Sequence, residues 1–133
     1  MKTIADWTRE VHENAVAKGF YDKGPRSALE AHMLIVSEIA EATESARKDE
    51  PPIWGHEREY IGGFGFSTIH VITPEHPSWD AAVKPEGELT ELADAVIRIL
   101  DYCGARGWDL ERAMKLKHEY NKSRPYRHGG KLA

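Results

Sequence analysis

Two short acidic repeats, Glu38-Ile39-Ala40-Glu41 and Glu91-Leu92-Ala93-Asp94, are the residues of this chain whose types and spacing could do chemistry. In an α-helix, residues three apart lie about a turn apart on one face, so each repeat aims two carboxylates the same way. Two helices packed with those faces together would gather Glu38, Glu41, Glu91 and Asp94. Two like charges ~4 Å apart repel by about 4 kcal/mol at an effective dielectric of about 20. Four carboxylates together therefore demand cations or protonation. Magnesium meets the demand: it prefers oxygen ligands, keeps some waters and bridges protein carboxylates to substrate phosphates. Such an ion polarises a phosphoryl oxygen and lowers the pKa of a bound water, preparing it for attack near neutral pH. A ferritin-like di-iron site would need two Glu-x-x-His pairs, and the chain has none. His56, His70 and His76 follow no zinc-ligand spacing, and there is no His-Glu-x-x-His.

The complementary charge lies near the C-terminus. Between residues 112 and 131 seven basic side chains stand against Glu119 alone. That is either an anion site or a solvated basic tail. Lys117, Asn121 and Arg124 recur at helical spacing, so two cations can neutralise phosphate oxygens while the amide donates a hydrogen bond between them. An acidic metal platform with a basic clamp is what hydrolysis of a nucleotide anhydride requires. The competing account is a non-catalytic helical module that oligomerises or binds a partner, its acidic stripes facing water. Arg98 would then pair with Asp94 and Asp101, each pair contributing only ~0.2 to 0.5 kcal/mol.

The elements that must position these groups read as an all-α protein. At 133 residues and 15.0 kDa the chain is one domain's worth, for which helical oligomerisation would be unsurprising. Apolar periodicity predicts a first helix over residues 4 to about 18, with Trp7 in its apolar stripe, and a second over residues 27 to about 48. In the second, Leu29, Met33, Val36 and Ala40 form one apolar stripe and Ile35, Ile39, Ala42 and Ala46 another. Its polar wedge, with Glu30, Glu38, Glu41 and Glu44, would ordinarily face solvent. Residues 49–87 hold five of the seven prolines and the Gly62-Gly63-Phe64-Gly65 run, so they form an irregular insertion. Within it, residues 66–72 have strand character and suggest a small hairpin. The glycine run lacks the ending and flanks of a phosphate-binding loop. A third helix spans residues 88 to about 106, and a fourth, capped by Asp109, runs to about 123 and must end before Pro125. The last residues form a basic, flexible end.

Composition limits the partners. Eighteen Lys plus Arg against 22 Asp plus Glu give a net charge of -4, so general affinity for nucleic acid or an anionic membrane is not expected. Cys103 is the only cysteine and reads as a small core residue; no intrachain disulfide can form, which suits a reducing cytoplasm. No apolar run is long enough to span a bilayer, and Asp6, Arg9 and Glu10 interrupt any would-be signal peptide.

The pair EIAE and ELAD, the approach KPEGELTELADAVIRILDYC and the closing KHEYNKSRPYRHGGK together resemble the MazG-like branch of the all-α nucleoside triphosphate pyrophosphohydrolases. The resemblance covers both central helices, the C-terminal helix and the tail. It implies a single MazG-like helical domain that cleaves between the α- and β-phosphates of a nucleoside triphosphate, giving monophosphate and pyrophosphate. The implied cofactor is Mg2+, with Mn2+ as a substitute. Glu38, Glu41, Glu91 and Asp94 would be metal ligands, with Glu38 and Glu41 also catalytic in orienting the water. Lys117, Asn121 and Arg124 would hold phosphates. A homodimer or homotetramer would complete the bundle. Within the same fold, a phosphoribosyl-ATP pyrophosphohydrolase is the alternative, which the tail and connecting segment favour less. Ser37 stands where many relatives have a further glutamate, and the stretch from Glu41 to Glu91 is longer than in compact members. The added segment is expected to close over the base.

Overall fold

Three of the four described helices begin where a side chain takes up a free backbone amide. In the computed structural model, which describes the backbone of residues 1–61 and 65–127 and their side chains outside 58–69, Thr3 and Asp6 cap α1 (Ile4–Ala17) reciprocally. Ser27 accepts from the Glu30 amide to open α2 (Ala28–Arg47). Asp109 does the same for Arg112 at the head of α4 (Leu110–Ser123). Arg124 takes an extended conformation as C-cap of α4, as the residue before Pro125 should. With α3 (Glu88–Arg106), these are the four helices of the described residues, and the chain is mostly helical with an insertion between α2 and α3. No described helix is long and apolar enough to cross a membrane.

The insertion is a built structure. Strands β1 (Gly55–Ile61) and β2 (Gly65–Ile72) pair antiparallel, Gly55 opposite Ile72 and Ile61 opposite Gly65, with an irregularity at Glu59 and Tyr60. β2 corresponds to the expected strand. β1 is the partner strand of the expected hairpin, whose place was not assigned because the charged run Glu57-Arg58-Glu59 hides its strand character. Residues 62–64, most of the glycine run, and the basic tail at 128–133 lie outside the described residues. Trp54 and Glu86 exchange backbone hydrogen bonds of 2.9 and 2.7 Å, tying the foot of the hairpin to the approach to α3. Two glycines make the close approach possible. A Cβ on Gly55 would collide with Val83 Cγ1, and one on Gly87, at φ +107°, would lie 2.5 Å from the Pro52 carbonyl oxygen.

The chain divides into two compact units. One comprises Met1–Arg26 and Ile99–Ala133, where α1 packs against α4 and Leu100 and Cys103 are buried. The other is Ser27–Arg98, with Ala31, Ala42, Ile72 and Ala95 as its buried apolar residues. The buried Cys103, its thiol pushed up by burial, is the small core residue expected.

The polarity of the central helices departs in part from the ordinary expectation. Glu38, on the polar wedge of α2, is only 8% exposed, whereas Leu29, Met33, Val36 and Ile39 are exposed. On α3 Asp101 is buried and Asp94 half-buried, while Leu89, Leu92, Val96 and Ile97 are open to solvent. One apolar stripe on each helix is largely uncovered, while Glu38 on α2 and Asp101 on α3 turn inward and Glu30, Glu41 and Glu44 stay exposed. Trp7, expected in the core, is also exposed, with the Lys2 ammonium 4.5 Å from its ring centre.

Candidate metal centre

The acidic repeats meet within the Ser27–Arg98 unit, Glu38 and Glu41 coming from α2 and Glu91 and Asp94 from the first two turns of α3. Gly87 sets the entry of α3, since its carbonyl accepts the Glu91 amide and the Pro52 carbonyl accepts the Leu89 amide. One carboxylate oxygen from each of Glu38, Glu91 and Asp94 lies within 4.8 Å of the others. Glu41 is exposed and lies outside this group of three, though it acts on Glu91.

Like charges and burial act together here. Glu91 is pushed up to about 7, first by burial, then by the hydrogen bond and charge of Glu41, and further by Glu38 and Asp94. Asp94 is also raised, chiefly by burial and then by Glu38, against the lowering effects of Arg98 and Lys84. A proton on Glu91 lets its hydroxyl donate to a neighbouring carboxylate and relieves the repulsion. A divalent cation achieves the same relief with all the carboxylates ionised. An all-oxygen donor set without His or Cys fits a hard cation such as magnesium and does not fit zinc or copper.

Arg98 is the participant that the stripe pattern assigned elsewhere. Its Nε donates to Glu38 Oε1 at 2.7 Å, across from α3 to α2, so it holds Glu38 in place while its charge also reaches Asp94. Asp101, the other partner proposed for it, is engaged in the opposite unit, where its Oδ1 lies 2.9 Å from His12 Nδ1 and its Oδ2 accepts from the Tyr21 hydroxyl at 2.8 Å. A carboxylate oxygen accepts, so Nδ1 is the donor of this pair. Tyr21 is pushed up to about 12, by burial first and then by the hydrogen bond and charge of Asp101. His12 and Tyr21 meet edge to face, and His12 lines a cavity of about 460 Å³ with Thr8, Gly104 and Trp108. Neither residue had a chemical role legible in sequence, because their partner lies 80 or more positions away.

Lys117, Asn121 and Arg124 all belong to the end of α4 and its cap, in the unit that holds α1. Lys117 Nζ and Arg124 Cζ lie 5.1 and 5.6 Å from the centre of the Tyr120 ring, and the Asn121 carbonyl accepts the Arg124 amide. The cations thus flank one aromatic ring at a helix C-terminus. No protein-family model, curated protein or solved structure matches the chain.

Proposed function

We propose that this chain is a magnesium-dependent nucleoside triphosphate pyrophosphohydrolase of MazG-like type, hydrolysing ribo- or deoxyribonucleoside triphosphates to monophosphate and pyrophosphate. The observation that carries the reading is the convergence of Glu38, Glu91 and Asp94 within 4.8 Å on two helices, with Glu91 pushed up to about 7. A solvated acidic face gives no reason for such convergence, which counts against the non-catalytic helical module.

Glu38, Glu91 and Asp94 would hold Mg2+, with Mn2+ as a substitute, and Glu41 would complete the set from its exposed edge. Bound there, the ion supplies Lewis-acid polarisation of the phosphoryl oxygen and a lowered pKa for the attacking water. Arg98 holds Glu38 in place. Glu41 orients the water and accepts its proton as the oxygen–α-phosphorus bond forms and the bond to the β-phosphate bridge breaks, releasing pyrophosphate. The family resemblance assigns the phosphates to Lys117, Asn121 and Arg124. The uncovered stripes of α2 and α3 support a homodimer or homotetramer in the cytoplasm, where the unpaired Cys103 is at home.

The test is product analysis of the purified chain with magnesium and each common ribo- and deoxyribonucleoside triphosphate, separating pyrophosphate from orthophosphate. Monophosphate with pyrophosphate is the expected pair. Orthophosphate with diphosphate, or no turnover across the panel, would overturn the reading.

A further inference from the structure

The unit formed by Met1–Arg26 and Ile99–Ala133 holds a cavity of about 460 Å³, and every residue of its wall belongs to that unit. Its volume lies in the range of small-molecule pockets, roughly 300 to 1,000 Å³. α1 contributes Thr8, His12 and Glu13, and the turn from α3 into α4 contributes Trp108, Leu110 and Glu111. The two sides come together because residue 104 is glycine, where a Cβ would lie 2.7 Å from His12 Cβ.

His12 is the polar group fixed in that wall. Asp101, which is buried and not part of the wall, accepts from Nδ1 at 2.9 Å and is itself held by the Tyr21 hydroxyl at 2.8 Å. The ring is thereby set in one orientation, and in the neutral imidazole Nε2 is the acceptor. Nε2 has no hydrogen-bond partner among the described residues. Trp108 adds an aromatic surface. Its ring is 56% exposed, and its own partners, Tyr102 edge-on at 5.7 Å and the Arg106 guanidinium at 5.8 Å, lie outside the wall.

The wall is acidic. Glu13, Asp109 and Glu111 stand against Arg9, whose guanidinium already reaches Asp6 at 3.3 Å. Glu13 and Glu111 have no cationic partner among the described residues. Such a field repels carboxylates and phosphates and favours an organic cation. An apolar aromatic face, a fixed acceptor and surplus negative charge together describe one class of ligand.

We infer that this cavity binds a small aromatic amine, its ring packed on Trp108 and Leu110 and its ammonium donating to His12 Nε2 in the field of Glu13 and Glu111. The site is separate from the proposed hydrolysis, and its test needs neither magnesium nor nucleotide.

The experiment titrates the metal-free chain at slightly alkaline pH and low salt with phenethylamine, phenethyl alcohol and hydrocinnamate, which share a ring and differ in charge. Heteronuclear NMR follows the indole N–H resonances of the four tryptophans, that of Trp108 being identified with W108F. Phenethylamine should saturate the Trp108 resonance with a Kd of about 1 mM or tighter. The alcohol should bind at least about five-fold more weakly, and hydrocinnamate more weakly still. In H12N the amide can still donate to Asp101 but places no acceptor at Nε2, and amine affinity should fall about five-fold or more. A second variant, E13Q with E111Q, leaves His12 and Asp101 untouched and should weaken the amine about three-fold or more. Melting temperatures establish that each variant is folded, and the second carries the test if H12N is not.

Alcohol or hydrocinnamate binding within about two-fold of the amine overturns the inference. So do amine shifts that fail to saturate or spread equally over all four indoles, and an amine affinity unchanged in either folded variant.

Discussion

Arg98 Nε donates to Glu38 Oε1 at 2.7 Å, linking two helices through positions 60 residues apart. The acceptor is buried and the donor half-buried, so neither can exchange its partner for water cheaply. The same guanidinium opposes the upward push that burial and Glu38 exert on Asp94, so it acts as an internal counter-charge of the cluster. Replacing Arg98 with Met keeps much of its stem and removes this charge. The expected result is a loss of about 1 to 3 kcal/mol in metal-free denaturant melts, the cost of leaving a buried ionised group unsatisfied. Because the carboxylates then lose the cation hydrogen-bonded to them, the stabilisation by millimolar magnesium should be larger in R98M than in wild type. An R98M protein as stable as wild type without metal would show that the bond does not anchor Glu38.

Glu38→Gln and Asp94→Asn each remove one negative charge with little change of volume. In the proposed enzyme both should lower kcat by at least about a hundred-fold, with the far-ultraviolet circular dichroism unchanged. The two should differ in stability. D94N relieves repulsion from Glu38 and Glu41 and is expected to melt higher than wild type without metal, a gain in stability at the expense of function. E38Q gives up the ionised partner of Arg98 and should melt lower. Retained turnover in both variants would remove the metal platform from the mechanism.

The raised Glu91 carboxyl makes the metal-free protein sensitive to pH in a definite direction. Its folded value is about 7 against an ordinary 4.5, so between those limits the folded chain binds more protons than the unfolded one. Stability from this group is therefore fully present below the unfolded value and is lost as pH rises through the folded value. Metal-free melting temperature should carry a component that falls between about pH 5 and pH 8, and Glu91→Gln should flatten it. Magnesium competes with the proton, so the rise in melting temperature that it produces should grow over the same interval. A magnesium effect independent of pH would mean that the ion does not displace the Glu91 proton.

What was legible in the sequence followed from local periodicity. Helix limits came out within a residue or two because Thr3, Ser27 and Asp109 cap with their own neighbours and Pro125 blocks extension. The four acidic positions were legible because a spacing of three is a statement about one helix face. Which way those faces turn was not, since an apolar stripe identifies a surface that wants a cover without saying whether this chain supplies it. Met33 and Val96 lie uncovered, and Glu38 is buried instead. Partners distant in sequence were equally hidden. Arg98 had acidic neighbours at −4 and +3 on its own helix, yet its hydrogen bond runs to Glu38.

Asp101 is buried with both oxygens occupied, one facing His12 Nδ1 and the other accepting from Tyr21. Tyr21→Phe strips one donor from it and should destabilise the chain by about 1 to 2 kcal/mol. In wild type, an alkaline titration followed by tyrosinate absorbance should show one of the five tyrosines ionising late, near the value of about 12 to which burial and Asp101 push it. That late component should disappear in Y21F. If all five ionise together while the protein remains folded, the hydrogen bond does not persist in solution.

The uncovered apolar stripes lead to a prediction about assembly. Met33 is 61% exposed, and Leu29 and Val36 stand with it at spacings of four and three on α2; Leu89, Leu92 and Val96 form the matching row on α3. A row of large apolar side chains along two helices is costly to leave in water, and covering it with the same surface of a second copy forms a self-complementary interface. Replacing Met33 with Asp puts a charge in the middle of that row without touching the carboxylate cluster. Light scattering coupled to size exclusion should show wild type as a dimer or tetramer and M33D shifted toward monomer. Exposed Met33 has little to lose within its own chain, so M33D monomers should retain their helical signal at temperatures well below melting. A wild-type chain that is monomeric at all concentrations, with M33D behaving identically, would mean that the stripes are not covered by a second copy.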